Sequence, residues 1–533
     1  MKFNYFFIVA LLSIGFNAES KAQADKSDWQ NGVPEACTSV TVGKDASFDG
    51  SVMTSHTDDS HRTRSWMDIV PAKKHKKGEM VPMYKRVAYD SLAMPSYQHI
   101  KIGEIPQVSY TYKYINTAYA CMNEHQLGIG ESTFGGREEL QSDNGLIDCQ
   151  RLCQLMLERC KTAREAIMMA DSLTQLYGWN DYGEALTIAD TKEVWHFEIT
   201  GKGKGEKGAV WVAQRVPDDH ISVNANASTI QGIDLSDKDN FMASKNIFQV
   251  AKAKGYWKEE NEPFRYCYVY NPEGRRTFAS RRREWRVLSL MAPSLNLDPN
   301  GEVFPFSVKP DKKVTLQKMV DIFKDYYEDT DFDMTKNLLV PDKDGKMVKS
   351  PLANPFMPYD ENKLLRINGG WGELGERTIA RWYTMYATII QCREWLPDAI
   401  GGLVWLAQDN VATSIYVPIY CQDTDVAKPY KVPGRPNGYT TESAWWAFNR
   451  LGTLTAQRWG EMRHDVDNVW IPWQTELFDN QKKIEAEALS LYEKKPKRAI
   501  EFLTNYSIKW GDKVVKRAWK LGDELWTKYD EKF

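Results

Sequence analysis

Cys37 combines two features that suit nucleophilic catalysis. It is one of eight cysteines in a chain of 533 residues, and it follows a segment that cleavage could remove. If cleavage falls between Ala36 and Cys37, the thiol and a free α-amine share one residue. Such an amine has a pKa of about 7.7–8.0, so it can accept the thiol proton near neutral pH and later return it. Position alone leaves open that Cys37 is an ordinary buried strand cysteine.

Other common catalytic signatures are missing from the sequence. It contains no GxSxG elbow, no HExxH and no GxxxxGK[ST], which removes the usual α/β-hydrolase, zincin and P-loop interpretations. No CxxC pair occurs, and no Cys/His cluster has the spacing of a structural zinc site. The pattern therefore predicts neither a metal site nor a cofactor.

The first 36 residues have the pattern of an export signal followed by a short propeptide. Lys2 gives a positive start, the apolar core runs from Phe6 to Phe16, and an A-x-A cleavage site ends at Ala24. The core is shorter than the roughly 20 residues of a membrane span. We expect residues 1–24 to be a signal peptide, 25–36 a propeptide, and the mature protein to be periplasmic or extracellular. A buried N-terminal strand or helix is the alternative.

Charge and composition describe an ordinary folded chain. Lys and Arg number 69 against 72 Asp and Glu, for a net charge of −3, and 42% of the residues are hydrophobic. A balance this near neutral gives no reason to expect a nucleic-acid partner or a membrane surface. The cysteines are too dilute for a disulfide scaffold.

Hydrophobic periodicity predicts an α+β fold. Residues 146–176 have helical spacing that places Cys149, Cys153 and Cys160 on one face, which is more often core than metal site. Four strand-like runs between 185 and 227 predict a β meander. Further predicted elements are a helix at 314–327, strands at 382–391, 400–407 and 414–420, and a mostly helical segment at 441–533. Helices interleaved with meanders favour sheets packed against helices.

A run that begins at Cys37 and five later blocks match a known family in the same order. The opening run is CTSVTVGKDASFDGS at 37–51, with TDDS at 57–60. The later blocks lie at 122–133, 193–199, 223–226, 414–418 and 443–449. Together they resemble the bacterial dipeptidase A family. Its members are cysteine dipeptidases of the N-terminal-nucleophile (Ntn) hydrolase superfamily, which also holds penicillin V acylases and bile salt hydrolases.

The resemblance implies a catalytic role for each residue that matches a family motif. Cys37 would be the nucleophile, and its α-amine the base. Asp59 would be the acid that orients the nucleophile, although a turn or capping role is an alternative. Asn226 would hold the oxyanion through its amide, and Arg283 would be the active-site arginine because of its Arg-x-Trp spacing. Asn224 would point to the same strand face as Asn226, so the choice between them rests on the resemblance.

The resemblance also implies contacts to substrate. Thr133 lies where relatives supply the second oxyanion contact, and Asp58 belongs to the same acidic block as Asp59. His56 departs from the family, which has an arginine at this position. A histidine is partly neutral at pH 7, whereas an arginine is always charged. The change therefore bears on substrate preference.

The fold that the resemblance implies is a four-layer αββα Ntn-hydrolase sandwich over residues 37–440. Residues 441–533 would form a mostly helical C-terminal extension packed on it. The implied activity is hydrolysis of dipeptides without a metal. Export is expected from the signal pattern, and no other segment is long and apolar enough to predict a membrane span. Two alternatives stay open: a linear amidase acting on N-acyl amino acids or bile-salt conjugates, and a catalytically dead exported binding protein. The oligomeric state, including a homo-oligomer, also stays open.

Overall fold

β-Branched and aromatic residues concentrate in short segments that pair as antiparallel strands. A computed structural model of the chain describes residues 36–60, 63–86, 99–355, 377–434 and 438–532. The predicted signal peptide, and the predicted propeptide up to residue 35, lie outside the described residues. In chain order the strands are β1 (Ala36–Val42), β2 (Val52–Asp59), β3 (Asp68–Val70), β4 (Lys73–Lys74), β5 (Met80–Arg86), β6 (His99–Pro106), β7 (Tyr110–Thr111), β8 (Tyr114–Asn116), β9 (Met122–Asn123), β10 (Gly128–Gly135), β11 (Gly183–Ala189), β12 (Val194–Thr200), β13 (Val210–Val216), β14 (Ile221–Asn224), β15 (Phe241–Ala243), β16 (Ser307–Val308), β17 (Leu339–Pro341), β18 (Met347–Lys349), β19 (Thr384–Cys392), β20 (Leu403–Gln408) and β21 (Val417–Tyr420).

Helices separate the groups of strands and dominate the C-terminal part. They are α1 (Cys149–Arg159), α2 (Ala163–Tyr177), α3 (Ile247–Ala253), α4 (Tyr266–Tyr270), α5 (Phe278–Met291), α6 (Leu316–Phe323), α7 (Asp398–Gly401), α8 (Ala444–Gln457), α9 (Trp459–Lys494) and α10 (Pro496–Tyr529). This mixture of antiparallel sheets and helices confirms the predicted α+β class and the helical C-terminal region.

The first of the two large sheets carries Cys37. Its seven strands lie in the order β16–β14–β1–β2–β19–β20–β21, so that β1 pairs with β14 on one side and β2 on the other. Every residue of β1, β2, β19 and β20 is buried. Strands buried on both faces are covered above and below by other elements.

The second large sheet contains the predicted meander, with one correction. Its eight strands lie in the order β15–β13–β12–β11–β10–β9–β8–β3, and β11, β12 and β13 follow one another as predicted. The fourth predicted strand, β14, instead pairs with β1 in the first sheet. The outer edge of β13 is taken by β15, and Ile221 and Val223 of β14 join the core of the first sheet.

Hydroxyl groups join the facing surfaces of the two sheets. The Thr187 hydroxyl lies 2.6 Å from the hydroxyl of Ser39 and 2.6 Å from that of Thr54. These three residues are called the hydroxyl seam below. Next to it, a Cβ on Gly130 would lie 2.2 Å from the Ser55 carbonyl oxygen. Only glycine allows the strands to approach this closely.

Helices pack against both large sheets. Leu152 of α1 and Ile167 of α2 share a core with Leu186 and Phe197 of the second sheet. On the first sheet, the ring of Trp405 meets that of Phe478 in α9 edge to face, with centroids 4.9 Å apart. The sheet that carries Cys37 is therefore held between the second sheet and the C-terminal helices.

The predicted helix at 146–176 is divided in two. Cys160 has extended backbone (φ −120°, ψ 154°) and ends α1. Thr162 and Glu165 then form a capping box that starts α2. Cys149 and Cys153 keep the predicted shared helix and are buried, whereas Cys160 lies at the break.

The C-terminal helices α8, α9 and α10 occupy most of the predicted helical segment. Among the described residues, no helix combines the length and the apolar character that a membrane crossing needs. All described residues belong to one compact unit.

Candidate active site

Cys37 is the second residue of β1 and lies opposite Asp58 of β2. It is 5% exposed. Its thiol donates a hydrogen bond to Oε2 of Glu131 at 3.1 Å, and its backbone N–H donates to Oδ1 of Asn226 at 2.9 Å. The candidate nucleophile therefore has polar partners from two other segments, on both its sulfur and its nitrogen.

Glu131 is a member of this site to which the sequence reasoning gave no role. It lies on β10 and is fully buried. Its Oε2 atom lies 3.2 Å from Nε2 of His56, and its Oε1 atom accepts a hydrogen bond from the Thr133 hydroxyl at 2.9 Å. Residues i and i+2 of a strand share a face. The spacing of Glu131 and Thr133 was thus a signal that could have identified Glu131.

Burial and nearby negative charge both favour the protonated form of the Cys37 thiol. Burial, followed by the negative charges of Glu131 and Asp58, raises the pKa of the Cys37 thiol well above its usual value. Burial also acts to raise the pKa of Glu131, but interaction with His56 outweighs it and the pKa is lowered. Burial and the charge of Glu131 raise the pKa of Glu184 well above its usual value. Of the two neighbouring carboxyl groups, Glu131 is therefore the one that favours the ionised form, and Glu184 the one that favours the protonated form.

Asn226 connects β10 to Cys37. It follows β14 and has a φ of +60°, a left-handed conformation that asparagine tolerates better than most residues. Its backbone N–H donates to the Ser132 hydroxyl at 2.9 Å, and its Nδ2 donates to the Thr133 carbonyl at 2.6 Å. Asn224 instead donates to the Ala227 carbonyl at 3.0 Å. The structure places Asn226, and not Asn224, at Cys37.

Arg283 holds the backbone of the site. It projects from α5 and is 1% exposed. Its Nη1 donates to the Cys37 carbonyl at 2.6 Å and to the Thr38 hydroxyl at 2.9 Å. Its Nη2 donates to Oδ1 of Asn226 and to the Ala225 carbonyl, each at 2.9 Å. Burial, and then the charge of Arg377, lower the pKa of Arg283 to about 9.

The neighbouring arginines have other partners. Arg281 and Arg282 are buried and donate to carbonyl groups at 299–301, and Arg286 pairs with Asp325 at 2.6 Å. These three residues are therefore not the solvated basic run that the sequence allowed. Arg283 alone among the four contacts Cys37 within the described residues.

Asp59 is held by residues from later in the chain. Its Oδ2 accepts from Arg377 at 2.5 Å, and its Oδ1 accepts from the Thr384 hydroxyl at 2.6 Å. Its effect on Cys37 is electrostatic, since its charge raises the pKa of the thiol. Sequence reasoning did not single out Arg377 or Thr384, because more than 300 positions separate them from Asp59.

The predicted substrate-contact residues surround the thiol on the β2 and β10 side. His56 packs edge to face between the rings of Tyr119 and Tyr386, with centroids 5.4 and 5.6 Å away. Asp58 accepts from the Thr63 hydroxyl at 2.6 Å. The Thr133 hydroxyl lies between two carboxyl groups, 2.9 Å from Oε1 of Glu131 and 3.0 Å from Oε1 of Glu184.

Comparisons with known proteins identify the family of the chain. The model of peptidase family C69 matches residues 36–471. A probable dipeptidase of Latilactobacillus sakei is 26% identical over 476 residues, which cover 85% of this chain and 89% of that protein. A probable dipeptidase of Salmonella dublin is 25% identical, covering 72% and 81%. Probable dipeptidase B of Streptococcus pyogenes serotype M1 is 22% identical, covering 91% of each chain. The chain therefore belongs to peptidase family C69 and is a peptidase hydrolase.

Proposed function

We propose that the protein is an exported cysteine dipeptidase whose nucleophile is Cys37. In this proposal residues 1–24 leave as a signal peptide and 25–36 as a propeptide, so that Cys37 becomes the N-terminal residue. The catalytic domain is then an Ntn-hydrolase αββα sandwich over 37–440, with 441–533 as its helical extension. The proposal rests on two hydrogen bonds to the backbone of Cys37: its N–H donates to Asn226, and its carbonyl accepts from Arg283.

The nitrogen of Cys37 already has an acceptor that would orient a free amine. It donates to Oδ1 of Asn226, which also accepts from Arg283. Two donors on this oxygen fix the amide so that its nitrogen faces the Thr133 carbonyl. After cleavage, the amine would take the proton of the thiol on the same residue, and the thiolate would attack the carbonyl carbon of the substrate.

The remaining steps use the same groups. An amide nitrogen carries two N–H donors, and Asn226 uses one of them on the Thr133 carbonyl. Its other N–H would hold the developing oxyanion. Such a donor lowers the activation free energy by several kcal/mol. The ammonium of Cys37 would return its proton to the leaving amine, and water would then release the acyl group.

The names of the relatives support dipeptides as the substrate class. A dipeptide carries an ammonium group close to its scissile bond, and the carboxylate of Glu131 lies beside the candidate nucleophile. The amidase alternative rests on His56, which stands where the resemblance expects an arginine. A panel of dipeptides assayed beside N-acyl amino acids and bile-salt conjugates separates the two activities.

The first experiment is intact mass and N-terminal sequencing of the exported protein. We expect the wild-type protein to begin at Cys37 and to hydrolyse dipeptides. In this proposal Cys37 itself cleaves the bond after residue 36. Cys37→Ala should therefore retain residues upstream of position 37 and lose at least about 1,000-fold in kcat/KM, because no other group replaces the thiolate. Cys267→Ala, at a buried cysteine in α4, is the matched control and should behave as wild type.

Two results would contradict the proposal. The first is a Cys37→Ala protein with full activity. The second is a wild-type protein that keeps residues upstream of Cys37 and hydrolyses none of the substrates, which would support the inactive binding protein.

A further inference from the structure

Three ligand atoms of different chemistry meet at the candidate nucleophile. They are Sγ of Cys37 on β1, Nε2 of His56 on β2 and Oε2 of Glu131 on β10. The sulfur lies 3.1 Å from the carboxylate oxygen, the imidazole nitrogen lies 3.2 Å from the same oxygen, and all three atoms are within 4.8 Å of one another. The three side chains are buried.

These separations suit a tetrahedral cation. Zinc binds sulfur at about 2.3 Å and nitrogen or oxygen at about 2.0–2.2 Å, which places neighbouring ligand atoms about 3.3–3.6 Å apart. The observed distances of 3.1 and 3.2 Å differ from this by a few tenths of an ångström. The third separation, between the sulfur and the imidazole nitrogen, is no more than 4.8 Å. Movement of these two side chains towards a shared cation would complete the geometry, with a water molecule in the fourth position.

His56 is already arranged as a ligand. Its Nε2 is 3.2 Å from Glu131 but satisfies no hydrogen-bond geometry with any described residue. Its Nδ1 lies 3.5 Å from the hydroxyl of Tyr386, and two aromatic rings fix the plane of the imidazole. The second nitrogen of a metal-binding histidine is commonly held by a carboxylate, a backbone carbonyl or water, and the Tyr386 hydroxyl stands in that position here.

We propose that Cys37, His56 and Glu131 form a binding site for a thiophilic divalent cation such as Zn²⁺. Thiolate and imidazole ligands select zinc-like cations over Ca²⁺ and Mg²⁺. On binding, the Cys37 thiol loses its proton to solvent and forms a bond to the metal. The charges of Zn²⁺, one thiolate and one carboxylate then sum to zero, so the buried complex carries no net charge.

The cation would inhibit the enzyme, because it occupies the electron pair with which Cys37 attacks. This consequence rests on the proposed function, whereas the metal site itself does not. Micromolar Zn²⁺ should abolish dipeptide hydrolysis, and a chelator should restore it.

The direct test is titration of the purified protein with Cd²⁺, followed by the ultraviolet charge-transfer band of a cadmium thiolate. We expect one equivalent to bind, with affinity that rises with pH because a proton is released. Cys37→Ser should abolish the band. His56→Asn and Glu131→Gln, which are close in size to the native residues, should each weaken binding by at least about 10-fold.

Two controls locate the site. His464→Asn changes an exposed histidine on α9 and should leave the affinity unchanged. Cys149→Ser removes a ligand of the other buried group, which Glu131 forms with Cys149 and Glu184, and should also leave it unchanged. Circular dichroism establishes that each variant is folded before titration.

The inference is overturned if the band survives in Cys37→Ser, if folded His56→Asn and Glu131→Gln bind as tightly as wild type, or if Cys149→Ser abolishes binding. None of these measurements depends on peptide hydrolysis. A protein that binds Cd²⁺ through Cys37 but hydrolyses no dipeptide would contradict the proposed function alone.

Discussion

At the scale of single residues, the site depends on a side chain in an uncommon backbone conformation. Asn226 contacts Cys37, Arg283 and Thr133 while its φ is +60°. The left-handed region costs a residue with a Cβ roughly 1–2 kcal/mol, and glycine much less. The amide and the backbone of Asn226 can therefore be tested separately.

We predict that Asn226→Gly and Asn226→Ala both lower kcat about 100-fold or more, because both remove the amide that would hold the oxyanion. The alanine variant should also be less stable than the glycine variant by about 1 kcal/mol. Steady-state kinetics and chemical denaturation measure the two effects. If the glycine variant keeps wild-type kcat, the amide has no catalytic role.

Sequence reasoning gave roles to some residues of the site and missed others, including Glu131, which lies inside the matched block 122–133. Cys37, Asn226 and Arg283 each lie within a recognisable local pattern, and the structure brings them together. Glu131 and Arg377 acquire their positions only when β10 faces β1 and when residue 377 meets the end of β2. The spacing of Glu131 and Thr133 indicates that they share a strand face. Which residues that face contacts depends on how distant strands pack, which local spacing does not encode.

At the scale of elements, the C-terminal helices hold the sheet that carries Cys37. Gln474 of α9 accepts from the Tyr416 backbone N–H at 2.8 Å and donates to the Tyr416 carbonyl at 3.2 Å. Trp470, one turn earlier, donates to the Thr413 carbonyl at 3.0 Å. Side chains of α9 thus satisfy the backbone of the segment that leads into β21.

We predict that Gln474→Ala destabilises the fold by about 2–4 kcal/mol, because it leaves two buried backbone groups without partners at about 1–3 kcal/mol each. Thr475→Ala, at the next and exposed position of α9, should change the stability by less than about 0.5 kcal/mol. Urea denaturation of both variants measures the difference. Equal stabilities would show that the helix contributes nothing through this contact.

The existence and type of most elements followed from periodicity, but their pairing did not. The strands predicted at 382–391, 400–407 and 414–420 correspond to β19, β20 and β21. β20 begins only at Leu403, since residues 398–401 form α7. The strand β14 has the same alternation as its predecessors, so nothing in its own residues indicates that it joins the other sheet.

At the scale of the whole molecule, one buried acid makes stability depend on pH. Asp423 is 0% exposed and follows β21, and burial raises its pKa to about 7. An aspartate in the unfolded chain has a pKa of about 3.9. Between about pH 4 and about pH 7 Asp423 therefore binds more of a proton in the folded state than in the unfolded state, and its contribution to stability falls as pH rises.

We predict that Asp423→Asn removes this component. The variant should gain stability relative to wild type as pH rises from 5 to 8, because asparagine carries no charge to bury. Asp425→Asn is the control, since Asp425 is half exposed and pairs with Lys431 at the surface. Thermal unfolding across this pH range measures both variants. A constant difference between Asp423→Asn and wild type at every pH would contradict the assignment.

The hydroxyl seam has a consequence for how accurately the molecule assembles. Apolar contacts between sheets are non-directional, whereas paired hydroxyl groups require particular distances and angles. Ser39 lies two residues from Cys37, and Gly130 is adjacent to Glu131, so the seam sets the distance between nucleophile and carboxylate. The alignment of the two sheets therefore also sets the geometry of the candidate active site. A small misalignment at the hydroxyl seam would lower the turnover number before it lowered the stability of the fold.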